Sequence, residues 1–304
     1  MQSKRLLVIM VSVGLAIAIG GCQTGKQSMD NAYSQNPELP AAALPEYAVG
    51  EFFAFDDGRA VVVTAVSNEQ VTWRYSNGTT STGYRNFILP ALAWKSANRR
   101  GKATATAPPH MLWPLTAGNR GHYNTHQVIT RNDQAGSTQL FRQWYCSVEG
   151  TQRVSVPAGS FDTYVIACDR YSSTSQSWRE TRRYYYAPDL GHYVIREDQY
   201  RSRPVRTRQL VAYGFNSTFL PKQEQVSLNR LLQKTLSNNP NGVASTWTSQ
   251  PGDLTAKLVP VTSYAGSNGS QCRDYYSLYS FKGRVHKNER SVCRLPEGRW
   301  QRVY

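Results

Sequence analysis

The chain has 304 residues and carries 35 Lys and Arg against 20 Asp and Glu, which gives a formal net charge of +15 at pH 7. Its residues are 40% hydrophobic and 12% aromatic, enough apolar surface for folded domains, so the composition excludes a disordered chain. It also lacks the repeated long apolar stretches of a polytopic membrane protein. The excess of positive charge favours anionic partners.

Residues 1–21 have the pattern of a bacterial export signal. Lys4 and Arg5 precede an apolar run over residues 6–19, which is shorter than the roughly 20 apolar residues of a membrane-spanning helix. The letters IGGC, which end at Cys22, resemble the lipobox of bacterial lipoproteins. In that family a diacylglycerol is joined to the cysteine thiol, so the resemblance implies that an acylated Cys22 anchors the protein to a lipid bilayer. An ordinary secretory signal with an incidental cysteine is the alternative.

The residue after Cys22 bears on which membrane is the target. In lipoproteins of Gram-negative bacteria an aspartate at this position retains the protein in the inner membrane, so Gln23 implies the outer membrane. Two or more acyl chains hold a protein stably on a bilayer without a transmembrane segment. Residues 22–45 are rich in Gln, Asn, Ser, Ala and Pro, which predicts a flexible tether.

The next segment, residues 46–95, has the pattern of a small β-meander. Turn signals at residues 56–58 (DDG) and 77–78 (NG) separate runs of β-branched and aromatic residues. A small twisted sheet or barrel is therefore predicted. Residues 96–121, with a pair of prolines at 108–109, are predicted to be a long connection.

A second β unit is predicted over residues 122–220. Trp144 and Cys146 share one face of a strand by alternation, as do Ile166 and Cys168 on a later strand. Both cysteines therefore point inward, which makes their pairing reasonable. This unit is expected to be a curved antiparallel sheet.

One segment has a clear helical period. Leu228, Leu231, Leu232 and Leu236 form a single apolar stripe, which predicts a helix over residues 224–237. A proline precedes this stretch, and the letters NNP follow it.

The C-terminal residues carry two cysteine-containing phrases after Trp247, namely CRDY at 272–275 and CRLPEGRW at 293–300. Their order resembles the C-terminal domain of the rickettsial-type surface antigens, which are small outer-membrane lipoproteins. The resemblance covers residues 224–304 and implies a small structural domain, which we place at residues 221–304. The glycine-rich segment that those antigens carry before this domain has no counterpart here.

The predicted fold is therefore mostly β. It consists of two antiparallel β units, a small meander or barrel and then a curved sheet, followed by a short helix and a small disulfide-stapled hairpin module. If Cys22 is acylated, the remaining cysteines are four, an even number that suits an oxidising compartment. Four cysteines allow three connectivities. The pairs Cys146 with Cys168 and Cys272 with Cys293 are favoured because each lies within one predicted domain, and a zinc site is the alternative.

Two basic strips are candidate anion-binding surfaces. Arginine binds phosphate and carboxylate groups in a bidentate way, and lipopolysaccharide, peptidoglycan and anionic lipids offer both groups. The strips consist of Lys282, Arg284, His286 and Lys287 in the C-terminal domain, and of Arg196, Arg201, Arg203, Arg206 and Arg208 in the second β unit. A solvated sheet face without a ligand is the alternative. Export argues against nucleic acid as a partner.

The sequence contains no recognisable catalytic or cofactor motif. The metalloprotease motif HExxH, the nucleophile motif GxSxG, a phosphate-binding loop and a nucleotide fingerprint are all missing. His122 and His126 are four residues apart, but on a strand this spacing does not converge on a metal. We therefore expect no catalytic residue, no metal and no cofactor.

These observations predict a non-enzymatic lipoprotein of the outer membrane that binds or scaffolds a component of the cell envelope. Lipopolysaccharide, peptidoglycan or another envelope protein is the expected partner. A periplasmic hydrolase or cell-wall-modifying enzyme with a dispersed site on a β scaffold is the alternative.

Overall fold

The computed structural model describes residues 36–267 and 269–302. The predicted signal peptide, Cys22 and residues 22–35 of the predicted tether lie outside these described residues. Within the described ranges, no helix combines the length and the hydropathy that crossing a membrane would require.

The described strands of the N-terminal two thirds form one closed antiparallel barrel of twelve strands. The strands are β1 (Glu51–Phe55), β2 (Ala60–Val66), β3 (Gln70–Tyr75), β4 (Thr80–Tyr84), β5 (Ala93–Lys95), β6 (Arg99–Ala105), β7 (Arg120–Arg131), β8 (Thr138–Val156), β9 (Gly159–Tyr171), β10 (Trp178–Ala187), β11 (His192–Tyr200) and β12 (Arg203–Phe215). Each strand pairs with its neighbour in the chain, and β1 also pairs with β12, which closes the barrel.

The mostly β fold class is confirmed, but the two predicted β units are halves of one barrel. The segment predicted as a connection, residues 96–121, contains β6, which pairs with β7 from Arg99 to Ala105. The inward-facing positions of β6 are Gly101 and Ala103, which are too small to give the apolar alternation of a typical strand. A Cβ at Gly101 would lie 2.5 Å from the ring of Trp94, so a larger side chain does not fit there.

The inward faces of the barrel strands supply its core. Cys146 and Cys168 are directly opposite each other on β8 and β9, both are buried, and they form a disulfide. This bridge lies among apolar side chains that include Trp144 and Ile166, as the alternation of these strands predicted.

The C-terminal residues form a helix and a second sheet. The helix α1 (Lys222–Asn238) contains the predicted helical segment and follows a 3-10 turn at Ser217–Phe219. The sheet has five strands in chain order: β13 (Ser245–Thr248), β14 (Leu254–Ala265), β15 (Gln271–Phe281), β16 (Arg284–Arg294) and β17 (Trp300–Arg302).

Two tryptophans fasten the helix to this sheet. The indole of Trp247 donates to the Ser227 hydroxyl (2.9 Å), and the indole of Trp300 donates to the Ser237 hydroxyl (3.0 Å). Both rings are buried. The second favoured disulfide, between Cys272 and Cys293, joins β15 to β16.

The sheet is attached to the barrel through the carboxylate of Glu51, which is 0% exposed. Arg284 donates from Nη2 to Oε1 (2.9 Å), and His286 Nε2 lies 3.0 Å from the same oxygen. The backbone amide of Ala48 donates to Oε2 (2.7 Å). Three groups thus satisfy a buried charge that would otherwise be costly.

Neighbouring contacts extend this junction. Asn288 on β16 donates from Nδ2 to the carbonyl oxygen of Phe215 on β12 (2.7 Å). The rings of Phe215 and Tyr279 stack with their centroids 4.4 Å apart. The junction therefore combines a buried ion pair with apolar packing.

We expect Glu51→Ala to reduce the free energy of unfolding by about 3–5 kcal/mol, because it leaves Arg284 and His286 buried without their carboxylate. Urea denaturation followed by tryptophan fluorescence measures the change. Glu297→Ala is the control, since Glu297 is 57% exposed and pairs only loosely with Arg299 (3.7 Å). Equal midpoints for the two variants would show that the junction does not depend on this charge.

Candidate functional site

Five arginines on consecutive strands line the inside of the barrel toward one end. Each is two residues from a buried, inward-facing side chain, so strand alternation turns it to the interior. We call this set the arginine belt: Arg142 on β8, Arg170 on β9, Arg182 on β10, Arg196 on β11 and Arg208 on β12.

Cross-strand pairing brings the belt side chains together with two carboxylates. In the register of the sheet, Arg170 is opposite Glu180 and Arg182 is opposite Asp198. Arg196 is opposite Arg208, so two like charges are direct cross-strand neighbours. Such a like-charged pair is unfavourable unless an anion lies nearby.

These two carboxylates pair with three of the five guanidinium groups. Glu180 lies 2.8 Å from Arg170 and 2.8 Å from Arg182. Asp198 lies 2.8 Å from Arg196 and 3.8 Å from Arg182. The chain therefore uses shared carboxylates rather than one for each arginine.

Asp57, in the turn between β1 and β2, is the third carboxylate at this end. Arg208 donates to it from Nε (2.9 Å), and Arg206 and Arg59 lie 3.2 Å and 3.9 Å from it. Its pKa is lowered because, against the opposing effect of burial, hydrogen bonding and the charge of Arg208 favour the carboxylate. Asp57 is thus ionised, and its single negative charge is shared by three basic side chains.

Arg142 has no carboxylate within ion-pair distance among the described residues. Burial, together with the positive charges of Arg170 and Arg182, lowers the pKa of its guanidinium. Five belt arginines therefore share three carboxylates, and this part of the barrel interior has an excess of positive charge.

A cavity of ≈160 Å³ lies beside Arg196 and Arg208, and we call it the barrel pocket. Its walls are mainly rings, contributed by Phe55, Trp73, Tyr75, Tyr84, Phe87, Tyr184 and Tyr193. Arg196 lies over the ring of Tyr184 at 5.5 Å from its centroid, and Arg208 over that of Phe55 at 5.9 Å. The pocket thus combines aromatic walls with two guanidinium groups.

His192 also lines the barrel pocket and is 4% exposed. Its ring stacks on Phe53 (4.1 Å between centroids), and its Nδ1 lies 3.4 Å from the hydroxyl of Tyr47. Its Nε2 is buried and has no hydrogen-bond partner among the described residues. Burial and the nearby charge of Arg284 lower the pKa of His192 to about 3, so the imidazole is neutral at pH 7.

A larger cavity, of ≈660 Å³, lies between the barrel and the C-terminal domain. Its lining mixes acidic side chains, such as Glu224 and Asp253, with the basic Arg85 and Lys282. This mixture of opposite charges does not select an anionic or a cationic ligand. Among the described residues, no group of three or more His, Cys, Asp and Glu could hold a metal ion.

The structure separates the C-terminal strip of predicted anion-binding residues. Arg284 and His286 point into the junction and contact Glu51. Lys282 is 3.4 Å from Glu46, and Lys287 is beside Glu289 at 2.5 Å. These four residues therefore do not form one anion-binding face.

The second strip is also divided. Arg201 and Arg203 are exposed at the turn between β11 and β12, and Arg206 is exposed on the rim, where it contacts Asp57. Arg208, in contrast, is only 4% exposed and belongs to the arginine belt together with Arg196. The alternation that identified Trp144 and Cys146 as inward-facing, extended by two residues, would have identified Arg142.

Comparison with known proteins finds similarity to bacterial surface proteins. The chain is 28% identical over 82 residues to the 17 kDa surface antigen of Rickettsia prowazekii, which is 27% of this chain and 52% of that protein. It is 30% identical over 71 residues to the 17 kDa surface antigen of Rickettsia felis, 23% of this chain and 45% of that protein. The chain thus spans about half the length of the curated relatives it matches. No family model matches the chain.

Two solved structures align with the chain at low similarity. The hypothetical lipoprotein YmcC from Escherichia coli K12 is 12% identical, with a TM-score of 0.37, over 58% of this chain and 92% of that one. A protein from Bacteroides fragilis NCTC 9343 with a YmcC-like fold is 12% identical, with a TM-score of 0.35, over 57% of this chain and 99% of that one.

The sequence comparisons confirm the resemblance to the surface antigens over part of the chain.

The neutral, buried His192 makes stability depend on pH. Its pKa is 6.5 in the unfolded chain and about 3 in the folded protein, so between these values only the unfolded chain binds the proton. We expect the stabilisation by the neutral imidazole to be fully present above about pH 6.5. Below that pH the free energy of unfolding should decrease, by up to about 5 kcal/mol near pH 3. His192→Phe should remove this contribution, as measured by urea unfolding between pH 7 and 4.

The exposed His122 provides the matched control. His122→Phe should keep the pH dependence of the unmodified protein. If His192→Phe had the same pH dependence as His122→Phe, the buried imidazole would not be the group responsible.

Proposed function

We propose that the protein is a non-enzymatic lipoprotein, anchored in the outer membrane through Cys22, that binds an anionic component of the cell envelope at the arginine belt. The observation that carries the proposal is the imbalance of five buried or half-buried guanidinium groups against three carboxylates. Unpaired charge inside a protein is unfavourable. An anionic ligand would therefore gain energy by completing the pairing.

The location is supported by three independent features. The IGGC sequence ending at Cys22 resembles a lipobox. The two disulfides suit an oxidising compartment outside the cytosol. The similarity to the 17 kDa surface antigens, over part of each chain, points to the same compartment.

The pairing and burial of the acidic side chains in the arginine belt support binding rather than catalysis. Glu180 and Asp198 both lie within 2.8 Å of guanidinium groups and are almost completely buried. A general acid or base needs access to substrate and to a transferable proton. The arginine belt offers hydrogen-bond donors instead of an accessible acid or base. Such donors suit the phosphate and carboxylate groups of lipopolysaccharide and peptidoglycan.

For the anchor, we expect Cys22→Ser to lose metabolic palmitate labelling and to move from the membrane to the soluble fraction, because two or more acyl chains supply the attachment. Labelling and fractionation of cells that produce each variant measure both effects. Thr24→Ser, two residues away, should remain labelled and membrane-bound. Unchanged fractionation of Cys22→Ser would rule out this anchor.

For the belt, we expect Arg142→Met to weaken binding of pyrophosphate by about tenfold, the equivalent of one charge-assisted hydrogen bond. Isothermal titration calorimetry at low salt measures the dissociation constant. The variant should not be less stable, because Arg142 has no carboxylate partner among the described residues and its loss reduces repulsion with Arg170 and Arg182.

Arg153→Met is the control for this experiment, since it removes the same charge from an exposed pair with Asp162 (3.0 Å). It should bind pyrophosphate like the unmodified protein. Equal affinities of the Arg142 and Arg153 variants would place the anion elsewhere, and failure of the unmodified protein to bind pyrophosphate would overturn the proposed role of the belt.

A further inference from the structure

We infer that the barrel pocket binds a small molecule that carries an anionic group, carboxylate or phosphate, on a single flat ring. This inference rests on the proposed function and adds the chemical class of the ligand. Its anionic group would lie between Arg196 and Arg208, and its ring would lie against the aromatic walls. The pocket is a different part of the barrel end from Arg142, which does not line it.

The position of the anionic group follows from the two guanidinium groups. Arg196 and Arg208 are direct cross-strand neighbours, which brings two guanidinium groups to one place in the barrel. Arg208 donates to Asp57 only through Nε, so both of its Nη atoms lack a protein acceptor among the described residues. Arg196 uses Nε and Nη2 on Asp198, which leaves Nη1. Both arginines line the same cavity.

The size and lining of the pocket indicate that the part of the ligand beyond its anionic group is one flat ring. A cavity of ≈160 Å³ has about the volume of an apolar cavity known to hold one benzene molecule, roughly 150 Å³. Trp73, Phe87 and Tyr193 present rings on which a flat molecule can stack or pack edge to face. The pocket therefore has room for one ring.

His192 provides an independent indication that the pocket is a binding site. It is 4% exposed, it lines the cavity, and its Nε2 has no partner among the described residues. Buried polar groups in proteins are nearly always hydrogen-bonded. A ligand, or a water molecule held beneath it, would satisfy this nitrogen.

The decisive experiment compares benzoate with acetate, which has the same anionic group without the ring, and with benzyl alcohol, which has the ring without the charge. We expect benzoate to bind the full mature protein at least tenfold more tightly than either, as measured by isothermal titration calorimetry. Phenyl phosphate against inorganic phosphate repeats the comparison for the other anionic group and shows which of the two is preferred.

Two variants locate the binding site. Arg208→Met should weaken benzoate binding at least tenfold, while Arg153→Met should leave it unchanged. The Arg208 variant should still fold, which thermal unfolding verifies, because Arg206 and Arg59 continue to neutralise Asp57. Trp73→Leu should reduce the advantage of benzoate over acetate without changing the affinity for acetate.

The outcomes separate this inference from the proposed function. If benzoate and phenyl phosphate bind no more tightly than acetate and inorganic phosphate while pyrophosphate still binds through Arg142, the ring-binding pocket is wrong and the anion-binding belt stands. If neither the ring compounds nor pyrophosphate bind, both are overturned. Tight binding of benzoate that Arg208→Met does not affect would also overturn the inference.

Discussion

The rest of the structure depends on a single buried carboxylate, that of Glu51. Glu51 begins β1, the strand that closes the barrel by pairing with β12, yet its charge is met largely by Arg284 and His286 from the second sheet. Loss of these two partners while the carboxylate stayed buried would cost several kcal/mol. The barrel and the C-terminal domain are therefore parts of one compact unit rather than independent modules.

The same ion pair influences the interior of the barrel. Burial, together with the charge of Arg284, keeps the pKa of His192 low, so the imidazole adds no positive charge beside the arginines at pH 7. Gly191 allows this approach, because a Cβ there would lie 3.1 Å from Nη1 of Arg284 and its backbone has a φ of +71°. The C-terminal domain thus helps to set the electrostatics of the pocket that we propose binds a ligand.

Local patterns in the sequence predict a good part of this fold. Alternation identified the inward faces of β8 and β9 and the pairing of Cys146 with Cys168, and the leucine stripe identified α1. The closure of the barrel has no local signal, because Glu51 pairs with Phe215 across most of the barrel sequence. The burial of Arg284 was missed for a related reason, since a basic residue on a strand is usually exposed and its partner is distant in the chain. The belt was missed because arginines inside a barrel contradict the usual preference of charge for solvent.

The second sheet differs from the barrel in one respect with a practical consequence. A closed barrel leaves no strand edge, whereas an open sheet has two, and unpaired edges are templates for joining one molecule to another. Here the outer strands are β13, with four residues, and β17, with three, and they pair only with residues 255–258 of β14 and residues 292–294 of β16. Residues 262–265 of β14 are exposed and pair with β15 alone among the described strands, so this edge of the sheet is where a strand from another molecule could add.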